Sequence, residues 1–125
     1  MSTKQPECWA SDPQARALRV EVSADRSLLL SFDQFSFSEL TTGAKEQHLR
    51  LVFTTHEVMV RGHSLRRLEA VMQRMELAFI ARVAESARSL VTEGQPVILD
   101  IQVNEIEDKR APNPALLALT SAADA

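Results

Sequence analysis

The order of apolar and polar positions predicts a β-hairpin over residues 48–63. Apolar and polar residues alternate on both sides of a polar turn, and we expect the chain to fold back about Thr55–His56. In this register Leu51 faces Val60, and one side of the hairpin is wholly apolar. A slip of one residue would set that apolar side against polar partners, so the pattern favours this register.

The same alternation recurs in two further parts of the chain. Around Val20 and Leu30 it predicts a second hairpin, in which these two residues face each other across strands joined by a five-residue loop. The apolar residues, which stand at even-numbered positions up to Phe32, then stand at the odd-numbered positions of Phe35 and Phe37. This change predicts a bend or bulge near Asp33–Gln34. Residues 40–47 have the composition of a loop. Strict alternation over Val97–Asn104 predicts a C-terminal strand.

A helical spacing of apolar residues predicts one main helix over Ser64–Met75, with Ser64 as its N-cap. Residues 76–92 are ambiguous, because their apolar positions suit both a strand and a continuation of the helix to about Leu90. We expect the helix to end near Met75 and a strand to follow, since the apolar residues would cover too wide an arc of a helix.

Together these elements predict a small single α+β domain over residues 16–108. Its antiparallel sheet would consist of two hairpins plus the C-terminal strand, packed on one main helix, because a helical stripe can cover the apolar face of a sheet. Residues 1–15 lack periodicity and contain two prolines, which predicts a flexible N-terminal arm. Residues 109–125 are predicted to be a tail or a docking segment.

Composition narrows the classes of protein that fit. A chain of 125 residues with 45% hydrophobic and 25% charged residues suits one ordinary globular domain. No apolar run is long enough to span a bilayer, and the first residues lack the apolar core of a secretory signal, so we expect a cytoplasmic protein without a membrane partner. Cys8 is the single cysteine, which excludes an internal disulfide and a cysteine-based zinc site.

Charge is unevenly distributed along the chain. The net charge is −3, yet residues 44–74 hold six basic residues against three acidic ones, together with all three histidines. This asymmetry predicts an anionic partner, or an acidic complement within the protein or its homo-oligomer. A nucleic-acid partner is disfavoured, because the protein is acidic as a whole and has few aromatic side chains to stack on bases.

The predicted register of the first hairpin places His48, Arg50, Arg61 and His63 together on its polar side. Arg50 would face Arg61, and like charges directly across a ladder destabilise a sheet by up to about 1 kcal/mol. One interpretation is a site where two guanidiniums bind a small anion or an acidic protein partner. The favoured interpretation needs no ligand. An acidic neighbour such as Asp100, from this chain or another copy, lies between the two arginines, and long arginine side chains can also extend into water at little cost.

The sequence offers no catalytic motif. It has no glycine-rich phosphate loop, no nucleophile elbow and no helical His-Glu metal motif, so we predict no catalytic residue, metal ligand or cofactor. The expected function is a non-enzymatic binding or assembly module that forms a homo-oligomer, because well-patterned strand edges favour self-pairing. The alternative is a small enzyme or anion-binding domain that uses the face of His48, Arg50, Arg61 and His63.

Overall fold

The structure is a computed structural model that describes residues 8–91 and 93–106. Strands account for 54% of the described residues and helical segments for 17%, which makes the protein mainly β. Eight strands are present in the described chain: β1 (Trp9–Ser11), β2 (Ala17–Ser23), β3 (Arg26–Ser31), β4 (Phe35–Thr42), β5 (Gln47–Phe53), β6 (His56–His63), β7 (Leu77–Ala81) and β8 (Val97–Glu105). The helical segments are α1 (Arg66–Gln73) and two 3₁₀ helices, Phe32–Gln34 and Glu85–Leu90.

These strands form two four-stranded sheets instead of one. The first sheet has the order β1-β7-β2-β3 and the second the order β4-β5-β6-β8. Every pairing is antiparallel except that of β2 with β7. The predicted α+β class, with one sheet packed on a main helix, is therefore wrong. The one α-helix of the described residues is only eight residues long, too short to cover either sheet. Each sheet instead buries its apolar face in a core that the other sheet shares.

That core is one continuous cluster of buried side chains. The first sheet contributes residues such as Val20 and Ile80, the second contributes residues such as Phe53 and Val60, and all four are fully buried. Helix α1 packs onto the same cluster through its buried apolar side. Because both sheets and the helix share this core, removing any one of them would expose apolar surface of the others.

The predicted bend near Asp33–Gln34 is confirmed, and it is the corner where the chain passes from the first sheet to the second. The 3₁₀ helix Phe32–Gln34 lies there, and the Ser31 hydroxyl accepts a hydrogen bond from the Asp33 amide at 3.2 Å. The Phe32 amide donates to the Arg16 carbonyl at 3.0 Å, and the Thr54 amide donates to the Gln34 carbonyl at 2.7 Å. The corner is thus bonded to segments of both sheets.

Both predicted hairpins exist, but each is paired two residues away from the predicted register. Val20 lies opposite Leu28 instead of Leu30, and Leu51 lies opposite Val58 instead of Val60. A shift of two residues leaves every side chain on its own face of the sheet. The apolar pattern therefore suits both registers equally, and the turns decide between them.

The predicted strand Val97–Asn104 is confirmed as β8. The described residues 76–91 follow the strand interpretation of the ambiguous region 76–92, since β7 comes after α1. The N-cap prediction is wrong. Ser64 has a left-handed backbone with φ of 58°, and α1 begins without a side-chain cap of its own. Gln47 of β5 stabilises this entry from outside the helix, because its Oε1 accepts a hydrogen bond from the Leu65 amide at 2.6 Å.

Helix α1 ends at a left-handed residue that is not glycine. Met75 has φ of 58°, its amide donates to the Met72 carbonyl at 2.9 Å, and the Glu76 amide donates to the Val71 carbonyl at 3.1 Å. This hydrogen-bond pair is the Schellman motif, in which glycine usually takes the left-handed position. The motif ends the helix and turns the chain into β7.

The described part of the predicted arm, residues 8–15, is not separate from the fold. Cys8 is 2% exposed, its carbonyl accepts a hydrogen bond from the Ala81 amide at 2.8 Å, and β1 pairs with β7. Residues 1–7 and the predicted tail over residues 109–125 lie outside the described residues. Among the described residues, the longest helical segments fall well short of the length and apolar character needed to cross a membrane.

Gly62 sets the spacing between β6 and β8. The pairing of these strands shifts between Arg61 and Gly62, so that Arg61 lies opposite Asp100 and Gly62 lies opposite Ile98. A methyl group on Gly62 would collide with the backbone carbonyl of Val97. Only glycine permits so close an approach of two backbones.

We expect Gly62→Ala to lower the free energy of unfolding by about 2–3 kcal/mol, because β8 must move away from β6 to admit the methyl group. Urea unfolding followed by circular dichroism measures this loss. Gly43→Ala is the control, since its added methyl group meets only the Glu46 carbonyl, at 3.0 Å in an exposed turn, and should cost less. Equal stability of Gly62→Ala and the wild type would contradict the close approach.

Replacing Met75 by glycine should raise the free energy of unfolding by about 0.5–1 kcal/mol. The left-handed backbone costs an L-residue roughly 1–2 kcal/mol, and the greater chain entropy of glycine in the unfolded state offsets only part of this gain. Ala70→Gly, at an exposed position within α1, is the matched control and should lower stability by about 1 kcal/mol. Thermal unfolding of both variants measures the two signs, and a loss at Met75→Gly would count against the left-handed turn.

Candidate functional site

The four predicted site residues lie on the solvent-facing side of the second sheet, which we call the outer face. Alternate residues of four strands form it, because neighbouring side chains along a strand point to opposite sides. His48 and Arg50 come from β5, and Arg61 and His63 come from β6. The outer face also includes Phe37, Glu39 and Thr41 of β4, Val52 of β5, Glu57 and Met59 of β6, and Asp100, Gln102 and Asn104 of β8.

The structure does not bring the two arginines opposite each other. Arg50 lies opposite Met59, and Arg61 lies opposite His48. The predicted direct pair of like charges is therefore wrong, for the same two-residue shift that affects the whole hairpin. The arginines are diagonal neighbours, and each has its own acidic partner.

Arg50 stands at the centre of the outer face in a shell of aromatic and acidic groups. Its Nε donates a hydrogen bond to the Glu57 carboxylate, and its Nη1 lies 3.8 Å from Glu39 Oε1. The guanidinium also lies over the Phe37 ring, 5.4 Å from the ring centroid, which is a favourable cation–π position. With its charge met from three sides, Arg50 has little capacity left for an added anion.

Arg61 is neutralised separately. Its Nη1 donates to both carboxylate oxygens of Glu46, at 3.1 and 2.8 Å. Asp100, the acidic neighbour named from the sequence, lies opposite Arg61 on β8, while the ion pair of Arg61 is with Glu46. Acidic residues of the same chain thus face both arginines.

The two predicted site histidines, His48 and His63, are diagonal and do not lie directly opposite each other. His48 lies opposite Arg61, and His63 lies opposite Val97 at the end of β6. His56 is at the start of β6, where its Nδ1 lies 2.7 Å from the Thr55 hydroxyl. Within residues 8–91 and 93–106, no three histidine, cysteine, aspartate or glutamate side chains are grouped closely enough to hold a metal ion.

Ion pairing perturbs the acid-base behaviour of Glu57. The hydrogen bond from Arg50 is the main reason that the pKa of Glu57 lies below its ordinary value of 4.5, with the charge of Arg50 and a hydrogen bond from Asn104 acting in the same direction. Partial burial opposes this shift. The net lowering means that the folded protein stabilises the ionised form of Glu57.

Sequence reasoning missed the acidic and aromatic partners of this face. Glu39 and Phe37 lie on β4, a strand that was not predicted as such. A bulge between Phe35 and Phe37 conceals its alternation, because it places these two residues on opposite faces. Phe35 packs edge-on against Phe53 in the core at 5.3 Å, whereas Phe37 is 47% exposed. The sequence does carry one sign of this strand: after Phe32 the apolar residues change from even-numbered to odd-numbered positions.

Two concavities lie away from the outer face. One, of about 580 Å³, lies between the β2–β3 turn and the 3₁₀ helix Glu85–Leu90. Arg88 lines this concavity, and its guanidinium donates hydrogen bonds to the backbone carbonyls of Val83 and Leu99, at 3.4 and 3.5 Å. The other, of about 460 Å³, lies between β4 and α1.

Cys8 is a buried thiol, not an exposed nucleophile. Its Sγ donates to the Pro96 carbonyl at 3.3 Å. Burial raises the pKa of Cys8 above its ordinary value, so the neutral thiol is favoured over the reactive thiolate. Its surroundings therefore suit packing more than chemistry.

Comparisons of this chain with the profiles of known protein families, with curated proteins and with solved structures give no significant match.

The Glu57–Arg50 contact predicts a specific dependence on pH. Because the pKa of Glu57 is lower in the folded state than the ordinary 4.5, the contact contributes fully to stability above about pH 4.5. That contribution is lost as the pH falls through the folded-state pKa. Arg50→Met should move the Glu57 pKa up toward its ordinary value, as measured by NMR titration of the side-chain carboxyl carbon.

Arg61→Met is the matched control for this titration, since Arg61 pairs with Glu46 and not with Glu57. It should leave the Glu57 pKa near that of the wild type. A Glu57 pKa that is the same in the wild type and in Arg50→Met would show that the ion pair does not form in solution.

Proposed function

We propose that this chain is a non-enzymatic assembly module that self-associates through the free edge of β3. The observation that carries the proposal is the state of this strand. Among the described residues β3 is the last strand of the first sheet, and Leu29 on it has 69% of its surface exposed. An outer strand presents unpaired backbone N–H and C=O groups, and a second copy of the same strand can pair with them.

β3 is the least protected of the outer strands. β1 has only three residues, which is too short for a stable added ladder. β4 has a bulge near its start and carries Glu39, and both features discourage pairing at an edge. The start of β8 is partly covered, because the Val83 amide donates a hydrogen bond to the Ile98 carbonyl at 2.9 Å. In contrast, β3 has no proline and no acidic residue.

Side chains on the outside of the first sheet add apolar surface beside that edge. Leu29 lies opposite Arg19 of β2, and Arg19 lies opposite Phe79 of β7. Phe79, Arg19 and Leu29 thus form a row across three strands of the sheet, and Leu29 is its last member, at the edge of β3. Pairing of two β3 strands would bring the exposed leucines of both copies together and remove them from water, which favours association.

The alternative of an anion-binding domain has less support. Such a site needs arginines with free donors, whereas Arg50 pairs with Glu57 and Glu39, and Arg61 pairs with Glu46. The alternative of a small enzyme based on the histidines is also less supported, because His48 and His63 are diagonal and not directly opposite each other, and no three potential metal-binding side chains are grouped among the described residues.

We also propose that the protein works in the cytoplasm. Its one cysteine is buried and free, an arrangement that suits a reducing compartment, where disulfides play no structural role.

Size-exclusion chromatography with light scattering tests self-association. The wild type should have twice the 13.9 kDa mass of the chain at high micromolar concentration and dissociate on dilution. Leu29→Lys should shift the protein to the monomer, because a charge at the edge both removes apolar contact and repels its copy.

Leu90→Lys is the matched control, since Leu90 is 55% exposed but lies on the 3₁₀ helix Glu85–Leu90 and not on a strand of the first sheet. It should leave the mass unchanged. A wild type that remains monomeric at high concentration, or a Leu29→Lys variant that dimerises as well as the wild type, would refute association through β3.

A further inference from the structure

We infer that the concavity at the ends of β2 and β7 binds a small organic molecule that carries one carboxylate on an apolar body. This concavity, which we call the β2–β7 pocket, has a volume of about 580 Å³, and it is lined by the end of β2 and its turn, by β7, and by residues from the segment 82–88. A volume of this order suits a small-molecule ligand. No residue of β3 lines the pocket, so this inference and self-association through β3 can fail independently.

The topology of the first sheet creates the pocket. β2 and β7 are the only parallel pair among the described strands, and Glu21 near the end of β2 lies opposite Ala81 at the end of β7. Both strands therefore end at the same edge of the sheet. The chain then turns from β2 into the adjacent β3, whereas from β7 it continues to β8 of the second sheet. Segments that leave neighbouring parallel strands in different directions leave a crevice between them, which is a frequent position for a ligand.

The floor of the pocket is apolar, and its space comes from short side chains. Phe79 and Ala81 line the pocket and lie on the solvent-facing side of the first sheet, since they alternate with Ile80, which is fully buried. Ala24, on the turn after β2, also lines it. The methyl groups of the two alanines fill little of the crevice. An apolar body packed on Phe79 would be removed from water, which favours binding.

Arg88 provides the anchor for a carboxylate. It lies in the wall of the pocket and is half-buried. Its Nε and Nη2 donate to the carbonyls of Val83 and Leu99 at 3.4 and 3.5 Å, which hold the guanidinium in place without neutralising its charge. Within the described part of the chain, Arg88 forms no ion pair, and its Nη1 donates no hydrogen bond. The N–H groups of Nη1 can therefore bind a carboxylate through charge-assisted hydrogen bonds.

The other charged residues of the pocket favour a ligand with a single negative charge. Glu21 already has a partner in Arg19, 3.7 Å away. Arg82 and Glu85 also line the pocket, and their opposite charges offset each other. The charge of Arg88 remains, and one carboxylate balances it. A second negative charge on the ligand would lie near Glu85 without a cation to balance it, so a dicarboxylate complements the pocket less well.

The test uses the full chain and two probes of the same shape, phenylbutyrate, which carries one carboxylate, and phenylbutyramide, its uncharged amide. Backbone amide NMR shifts should saturate with phenylbutyrate at millimolar concentration and concentrate at the ends of β2 and β7 and on the 3₁₀ helix Glu85–Leu90. Phenylbutyramide should bind about ten-fold more weakly, because it cannot form the charge-assisted hydrogen bonds. Shifts that do not saturate, shifts centred elsewhere, or equal binding of the two probes would overturn the inference.

Arg88→Met should weaken binding of phenylbutyrate about ten-fold and leave that of phenylbutyramide unchanged, because it removes the anchor but keeps an unbranched side chain. Arg66→Met is the matched control, since it removes the same charge from an exposed position on α1, and it should leave both affinities unchanged. Thermal unfolding checks that both variants are folded. Equal binding of phenylbutyrate by Arg88→Met and the wild type would overturn the inference.

Ala81→Leu provides a test that does not depend on Arg88. It should weaken binding of both probes about ten-fold, because the larger side chain and a bound ligand cannot occupy the same space. Ala17→Leu adds the same bulk to the solvent-facing side of β2 at its other end and should leave binding unchanged. Unchanged binding by Ala81→Leu, or an equal loss in both variants, would place the ligand outside the β2–β7 pocket and contradict the inference.

Discussion

The whole structure depends on one apolar core that two small sheets share. Neither four-stranded sheet carries a helix layer, and α1 packs along only part of the core. Each sheet therefore hides its apolar face against the other. The chain changes sheets at the corner Phe32–Gln34, returns through α1 to β7, and changes again before β8. Since both sheets contain strands from distant parts of the chain, neither can be completed without the other.

The two outer surfaces that this arrangement leaves have different chemistry. On the second sheet, Arg50 and Arg61 are matched by acidic residues of the same chain, so the charged face is largely satisfied within the fold. On the first sheet, Leu29 is exposed on β3, which pairs on one side only among the described strands. Unsatisfied backbone groups and uncovered apolar side chains favour association more strongly than paired surface charges do. The proposed self-association through β3 is therefore better supported than the binding of a partner on the charged face.

The sequence predicted local structure well and the assembly of that structure poorly. Both hairpins, the bend before β4 and the strand β8 follow from alternation, because a half-buried strand imposes a period of two. The register of the hairpins does not follow, since a shift of two residues, such as Leu51 pairing with Val58 instead of Val60, preserves every face. Strand β4 was missed because its bulge breaks the alternation of apolar and polar residues. Consequently the partners of Arg50 that lie on that strand were not foreseen.

Native-state hydrogen exchange measures directly whether the two sheets form one cooperative unit. The shared core predicts that the slowest amides of β2 and β7 in the first sheet and of β5 and β6 in the second exchange with the same free energy. That free energy should equal the one for global unfolding in urea, with the same dependence on denaturant. If the amides of one sheet exchange through an opening of clearly lower free energy while the other sheet stays protected, the sheets are separate units and the shared core does not hold them together.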